Sequence, residues 1–264
     1  MAAILPLIPP SAHIDDVISS IETIIDWSIS NQSRLGYFAA LYHRITRAIK
    51  TGIEQKYFDD NERMERFDVT FASRYFAALN AFFHGVGTLS HSWQVALKGA
   101  ALDQPIIVQH LLAGVNAHID LDLGIAAEEI APGPALPSLH GDFIKVNQVL
   151  GAQVQTVLDE IDSLSPVLAD IYKKLEQYEI GLIDEGLKIT REGAWSFASE
   201  LANVPLPVRE VKIVLHDFAT AEIGMLIVHP PSLLAVIVDI IAAAESPDVA
   251  KNIEVLATMP VSLP

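Results

Sequence analysis

His118 and Asp122 stand four positions apart in the segment LLAGVNAHIDLD, Leu111 to Asp122. On a helix this spacing places an imidazole and a carboxylate one turn apart on one face, within reach of a hydrogen bond, a shared metal ion or a shared substrate. At about 100° per residue, Leu111, Val115 and Ile119 form the apolar stripe, Asp122 points between Leu111 and Val115, His118 lies at the stripe's edge, and Asp120 points to water. An ionisable group inside an apolar stripe is costly unless it is paired, so the pair reads either as a functional site or as a buried structural lock. In the functional reading His118 is a general acid or base and Asp122 orients its tautomer.

The same test brings in companions from other helices. Asp68 falls inside the stripe of Met64, Phe71, Tyr75, Leu79 and Phe82, with Arg74 at its flank. Asp142 and Asn147 edge the surface made by Phe143, Val146, Leu150, Val154 and Val157. Arg191 shares a face with Trp195 and Ala198 and is the expected cation for a buried carboxylate. The candidate catalytic set is therefore His118, Asp122 and Asp142, although Asp142 near a helix start is first of all a capping carboxylate. Asn116, Asn147, Tyr75, Arg191 and Trp195 are the candidate substrate contacts. No cofactor is firmly expected; a divalent metal would use His118 and Asp122 with Asp68 or Asp142 as third ligand. Glu222 shares a side with Phe218 and Met225.

These residues need elements to hold them, and the periodicity is helical nearly throughout. The expected fold is all-α, a single multi-helix bundle of about ten helices over 1–264, with 1–12 as an extended N-terminal arm. The expected helices are Asp15 to Ser30, Arg34 to Lys56, Asn61 to Phe83, Ser90 to Ala101, Gln104 to Glu129, Ser138 to Ile161, Pro166 to Ile183, Thr190 to Asn203, Val208 to Val228 and Ser232 to Ala244. APGPALP, Ala131 to Pro137, is the main expected loop because its prolines cannot continue a helix. The apolar run Leu233 to Ala244 is interrupted by Asp239 and too short to span a bilayer, which makes it a buried or interface helix.

Composition narrows the partners. A net charge of −16 leaves no basic face for nucleic acid or an anionic membrane. Only 19% of residues are charged and 51% are hydrophobic, a thin polar surface that points to extensive buried contacts and a homodimer. The chain has no cysteine, which excludes disulfides, thiolate metal sites and cysteine nucleophiles. The first residues lack a basic region and are broken by prolines, unlike a signal peptide, so a cytoplasmic location is expected.

There is no H-E-x-x-H, no E-x-x-H pair, no P-loop, no G-x-G-x-x-G after a strand and no G-x-S-x-G elbow. The adjacent His216-Asp217 lacks recognisable partners for a phosphohydrolase site. Five segments carry a resemblance: GYFAALYHRIT, FDVTFASRYFAAL, HLLAGVNAHIDLDL, DFIKVNQVL and REGAWSFASEL. In this order they resemble an uncharacterised, mainly bacterial family of unknown function, over roughly Arg34 to Asn203. The resemblance implies a helical single domain and no established reaction. Asn116, His118, Asp122, Asp142 and Asn147 match the family's polar positions, and Arg191 with Trp195 matches the later one. A fainter similarity links HIDLDLG to the helices of zinc-dependent phospholipase C, but the further histidines of that site are missing.

The functional expectation is an enzyme acting on an apolar small molecule, such as a lipid, isoprenoid or polyketide of secondary metabolism, in a cavity between helices. His118 and Asp122 would be its acid–base pair. The alternatives are a metal-dependent hydrolase using the same residues and a non-catalytic binder of apolar ligands or helical interaction module.

Overall fold

A computed structural model describes residues 3–177 and 182–259 together with Val261 and Leu263. The chain runs α1 (Ile14–Ser30), α2 (Leu35–Glu54), α3 (Asn61–His84), α4 (His91–Gly99), α5 (Ile107–Val115), a π-helical segment (Asn116–Leu123) and α6 (Gly124–Ile130). A 3-10 helix (Gly133–Leu139) leads into α7 (His140–Glu160), a 3-10 turn (Ile161–Ser163), α8 (Pro166–Gln177), α9 (Leu182–Ala202), α10 (Leu206–Val228), α11 (Ser232–Ala242) and α12 (Val249–Thr258). The fold is all-α, with no strand among the described residues.

Local chemistry sets several boundaries. Asp60, Ser90 and Asp248 each accept a hydrogen bond from the backbone N–H three residues on, capping α3, α4 and α12. Gly85, at φ 67°, ends α3 in the left-handed conformation that glycine adopts without a Cβ penalty. Most expected helices appear with ends moved by a few residues. Three expectations need larger correction. Gly133–Leu139 is a 3-10 helix rather than an open loop, since proline's fixed φ suits short 3-10 turns. Val249–Thr258 forms a helix that the periodicity did not suggest. The helix expected over Pro166 to Ile183 is α8 as far as Gln177; residues 178–181 lie outside the described residues, and Ile183 falls in α9, which begins well before the expected Thr190.

Two elements organise the core. One is α2, whose inward residues run almost unbroken from Leu35 to Ile49 and which packs on α1, α3, α5, α7 and α12. The other is the π segment, which meets α3, α4, α5, α6, α9 and α10. Instead of one α-helix from Gln104 to Glu129, the rod is α5, a π turn and α6 with helical backbone across both joints. The i→i+5 bonds of a π turn accommodate an extra residue and shift the register of everything after it. Asn116, Ala117, His118, Ile119, Leu121, Asp122 and Leu123 are all buried, so this turn has no solvent face. Asp120, expected in water, is only 16% exposed at its side chain and accepts from the Thr220 hydroxyl at 2.8 Å.

The N-terminal segment before α1 lies against α3: Leu5 and Ile8 are buried, Ile8 exchanges hydrogen bonds with Asn80, and His84 reaches the Leu5 carbonyl. At the other end, the apolar run expected as a buried or interface helix is α11, and it is largely exposed. Among the described side chains of α11 Ile241 is buried, while Leu234, Val236, Ile237 and Ile240 are 42–58% exposed. Among the described residues no helix is long and apolar enough to cross a membrane.

Candidate functional site

Asp122 is the meeting point of three elements. His118 Nδ1, one turn earlier, lies 3.1 Å from Asp122 Oδ2. Trp93 on α4 donates its indole N–H to the same oxygen at 2.7 Å, and Arg74 on α3 donates from Nε to Oδ1 at 2.9 Å. Arg74 also reaches Glu129 Oε1 at 3.4 Å through Nη1. An ionised carboxylate only accepts, so the His118 proton sits on Nδ1 and Nε2 is a bare acceptor. That Nε2 is buried and has no hydrogen-bond partner among the described residues.

The charges follow from these contacts. Burial alone would raise the Asp122 pKa, but Arg74, His118 and Trp93 outweigh it and hold the carboxyl below its usual range. Burial lowers the His118 pKa against the opposing pull of Asp122, so the imidazole is neutral at neutral pH. Its ring is enclosed by aromatics: Phe71 stacks on it at 3.7 Å and 6°, and Tyr42 meets it edge-on at 4.7 Å. Phe38, Tyr75 and Trp93 complete the enclosure, with centroids 5.7–6.0 Å from that of His118.

Asp122 faces outward as well. A cleft of about 490 Å³ opens over it, lined by Val69, Thr70, Ser73, Arg74, Ala77, Ala78, Thr88, Ser90, Trp93, Asp122 and Glu129. His118 is not among the lining residues, so Asp122 stands between the imidazole and the cleft. Burial raises the Glu129 pKa, with Arg74 opposing. The floor thus carries one guanidinium against two carboxyl groups, and hydroxyls from Thr70, Ser73, Thr88 and Ser90 edge it.

Of the expected site residues, His118, Asp122 and Tyr75 come together here. Asp68 is buried beneath them with Oδ2 unpartnered among the described residues, and burial, reinforced by Glu65, pushes its pKa up to about 8. Asp142 lies elsewhere. Completely buried, it accepts from the backbone N–H of Asp59 and Asp60, at 2.6 and 3.2 Å, and from Arg63 at 3.0 Å, tying the start of α7 to that of α3. Asn116 also serves packing, donating to the Thr220 carbonyl of α10 at 2.9 Å. Arg191 donates to the Asn147 carbonyl at 3.3 Å. The cation beside Asp122 is Arg74, and the one beside Asp142 is Arg63.

Trp195 lines a second cleft of about 480 Å³, with Gly133, Pro134, Leu136, Pro137, His140, Ser199, Ala202 and Asn203. Among the described residues no three histidine, aspartate or glutamate side chains are grouped to hold a metal ion, so neither Asp68 nor Asp142 completes a ligand set with His118 and Asp122. Sequence reasoning missed Trp93, Glu129 and Tyr42 and placed Arg74 only at a flank. A signal existed for Arg74, an arginine one turn from the buried Phe71–Tyr75 face; the lone tryptophan of short α4 gave none.

No curated protein and no solved structure matches the chain. One sequence family does, over residues 14–230, which include the π segment, Asp122 and every residue lining its cleft. The protein belongs to a family described as "Family of unknown function (DUF5995)".

Proposed function

We propose that this protein binds a small molecule in the cleft over Asp122, and that the His118–Asp122 pair holds the cleft floor in place. The observation that carries this reading is the position of Asp122, bonded to His118 and Trp93 on its inner side and to Arg74 at the floor of an open cleft. Three bonds fix the carboxylate without rearrangement on binding, the preorganisation that ligand sites require. With one guanidinium against two carboxyl groups, the floor favours a ligand bearing an amine or hydroxyl donor. Val69, Ala77, Ala78 and the Trp93 ring offer surface to an apolar portion. The lining is mixed, so the ligand is amphipathic rather than wholly apolar.

A thermal-shift screen of small primary amines and polyols tests this, with Ala77→Trp as the control. Ala77 is exposed and lines the cleft, so an indole there fills it without disturbing the core. The expected result is a compound class that raises the melting temperature of the wild type and not of Ala77→Trp. Equal shifts in both proteins, or none in the wild type, would reject the cleft as the site.

A second reading is catalytic. It is favoured by two buried polar atoms that lack partners among the described residues, the bare His118 Nε2 and Asp68 Oδ2. Both belong to titratable groups with shifted pKa values, which cluster where a proton is moved. In this reading the cleft deepens past Asp122 to admit substrate to Nε2. His118→Gln would then abolish turnover of any ligand found by the screen while leaving its binding intact.

A further inference from the structure

The remaining feature without an explanation is the outer face of α10. Its inner face, Asp217, Thr220, Ala221, Gly224 and Val228, is buried. On the opposite side, Val208, Val211, Leu215, Phe218, Glu222 and Met225 follow one another at spacings of 3, 4, 3, 4 and 3 residues. This is the a/d pattern of a helix that packs along a partner helix. The five apolar members are 43–63% exposed, and Leu226 extends the stripe at 60%. A helix buried along one face and apolar along the opposite one is expected to be covered on both.

We infer that α10 pairs with α10 of a second copy of this chain, antiparallel about a twofold axis between Leu215 and Phe218. Area is the first argument. Monomers rarely expose contiguous apolar patches above a few hundred Å², and a stable interface covers about 800 Å² per partner. At 23 residues α10 is about 34 Å long and about 10 Å wide, so its outer face alone supplies about 340 Å², close to half of that area and already as much as a monomer ordinarily leaves uncovered. Charge is the second argument. In the antiparallel register Val208 faces Met225, Leu215 faces Phe218, and Val211 faces Glu222, the one charge in the stripe. Lys212, whose ammonium pairs with Glu200 at 2.8 Å at the stripe's edge, adds positive charge on the side where the partner's Glu222 lies. A parallel pairing would instead set Glu222 against itself.

A membrane surface fits less well. Helices that lie on membranes carry a lysine- and arginine-rich polar face, and this chain has a net charge of −16. The arrangement also bears on the proposed ligand site without depending on it. Asp217 on the inner face of α10 accepts from the backbone N–H of His91 and Ser92 at 2.7 and 2.9 Å, which anchors the start of α4. Phe218 in the seam packs on His91 at 4.1 Å. Since α4 carries Trp93 and follows Ser90, both in the cleft, a partner on α10 buttresses the cleft wall from behind.

The test is sedimentation of the full chain at micromolar concentration, with Leu215→Glu and Phe218→Glu as exposed-site variants and circular dichroism as the check on folding. The expected result is a wild-type mass of twice the 28.7 kDa chain and a folded monomer for either variant. Because the chain has no cysteine, Leu215→Cys near the axis should cross-link on oxidation, while Leu226→Cys, far from it, should not. A monomeric wild type, a dimer that survives both glutamate variants, or cross-linking through Leu226→Cys would overturn the proposal. Recovery of a monomer on phosphatidylcholine–phosphatidylserine vesicles would overturn it in favour of a membrane. These results are independent of whether an amine or polyol occupies the cleft.

Discussion

Asp122 shows how a buried charge is made tolerable. Two charged or polar donors come from different helices and a third from its own, so no element can move without breaking a bond to it. Asp68, one helix away, illustrates the opposite solution: with no cation beside it among the described residues, it is neutral at neutral pH. This makes a pH dependence with a definite sign. Its folded pKa is raised to about 8 from the ordinary aspartate value of 3.8, so its contribution to stability is fully present below 3.8 and is lost as pH rises through about 8. The isosteric Asp68→Asn removes that titration. Its melting temperature should fall less than that of the wild type between pH 5 and roughly 9, and parallel curves for the two proteins would show that Asp68 is not held protonated. The histidines have the reverse sign. Burial lowers His118, and lowers His110 to about 4, so their contributions are present above 6.5 and are lost as pH falls below it.

At the scale of elements, the π turn decides what reaches the site. The i,i+4 spacing of His118 and Asp122 was legible because a single turn separates them whatever the exact winding. The position of Asp120 was not, because one α-helical register was carried across a segment that is wound differently. Which cation meets Asp122 was hidden for a related reason: helical angles say which residues face inward, and not which neighbouring helix they meet. That pairing depends on crossings such as the one between α6 and α9, where a Cβ on Gly124 would lie 2.7 Å from the Ala194 carbonyl oxygen. Backbone cannot yield there as a flexible side chain can, so Gly124→Ala should separate the helices and cost about 1–3 kcal/mol in a denaturant titration. An unchanged midpoint would mean that this crossing is looser than described.

For the molecule as a whole, composition already carried the class: half the residues apolar, charge sparse, and helical periods from end to end. What it could not carry was the separation of the polar candidates. Asp142 and Arg63 tie helix starts together, Asn116 ties the π turn to α10, and Trp195 belongs to a second cleft, so only part of the expected set surrounds Asp122. Each reads alike in sequence, as a polar residue at the edge of an apolar face. The three tryptophans now mark three different places: Trp93 bonds Asp122 at the cleft floor, Trp195 lines the second cleft, and Trp27 donates to the Ala3 carbonyl. Their indole N–H signals in nitrogen-15 NMR, assigned by Trp93→Phe and Trp195→Phe, therefore read out ligand position directly. On titration with an amine or polyol that stabilises the protein, the Trp93 signal should move while those of Trp195 and Trp27 stay in place. Movement of Trp195 alone, or stabilisation with the Trp93 signal unmoved, would contradict a ligand site over Asp122.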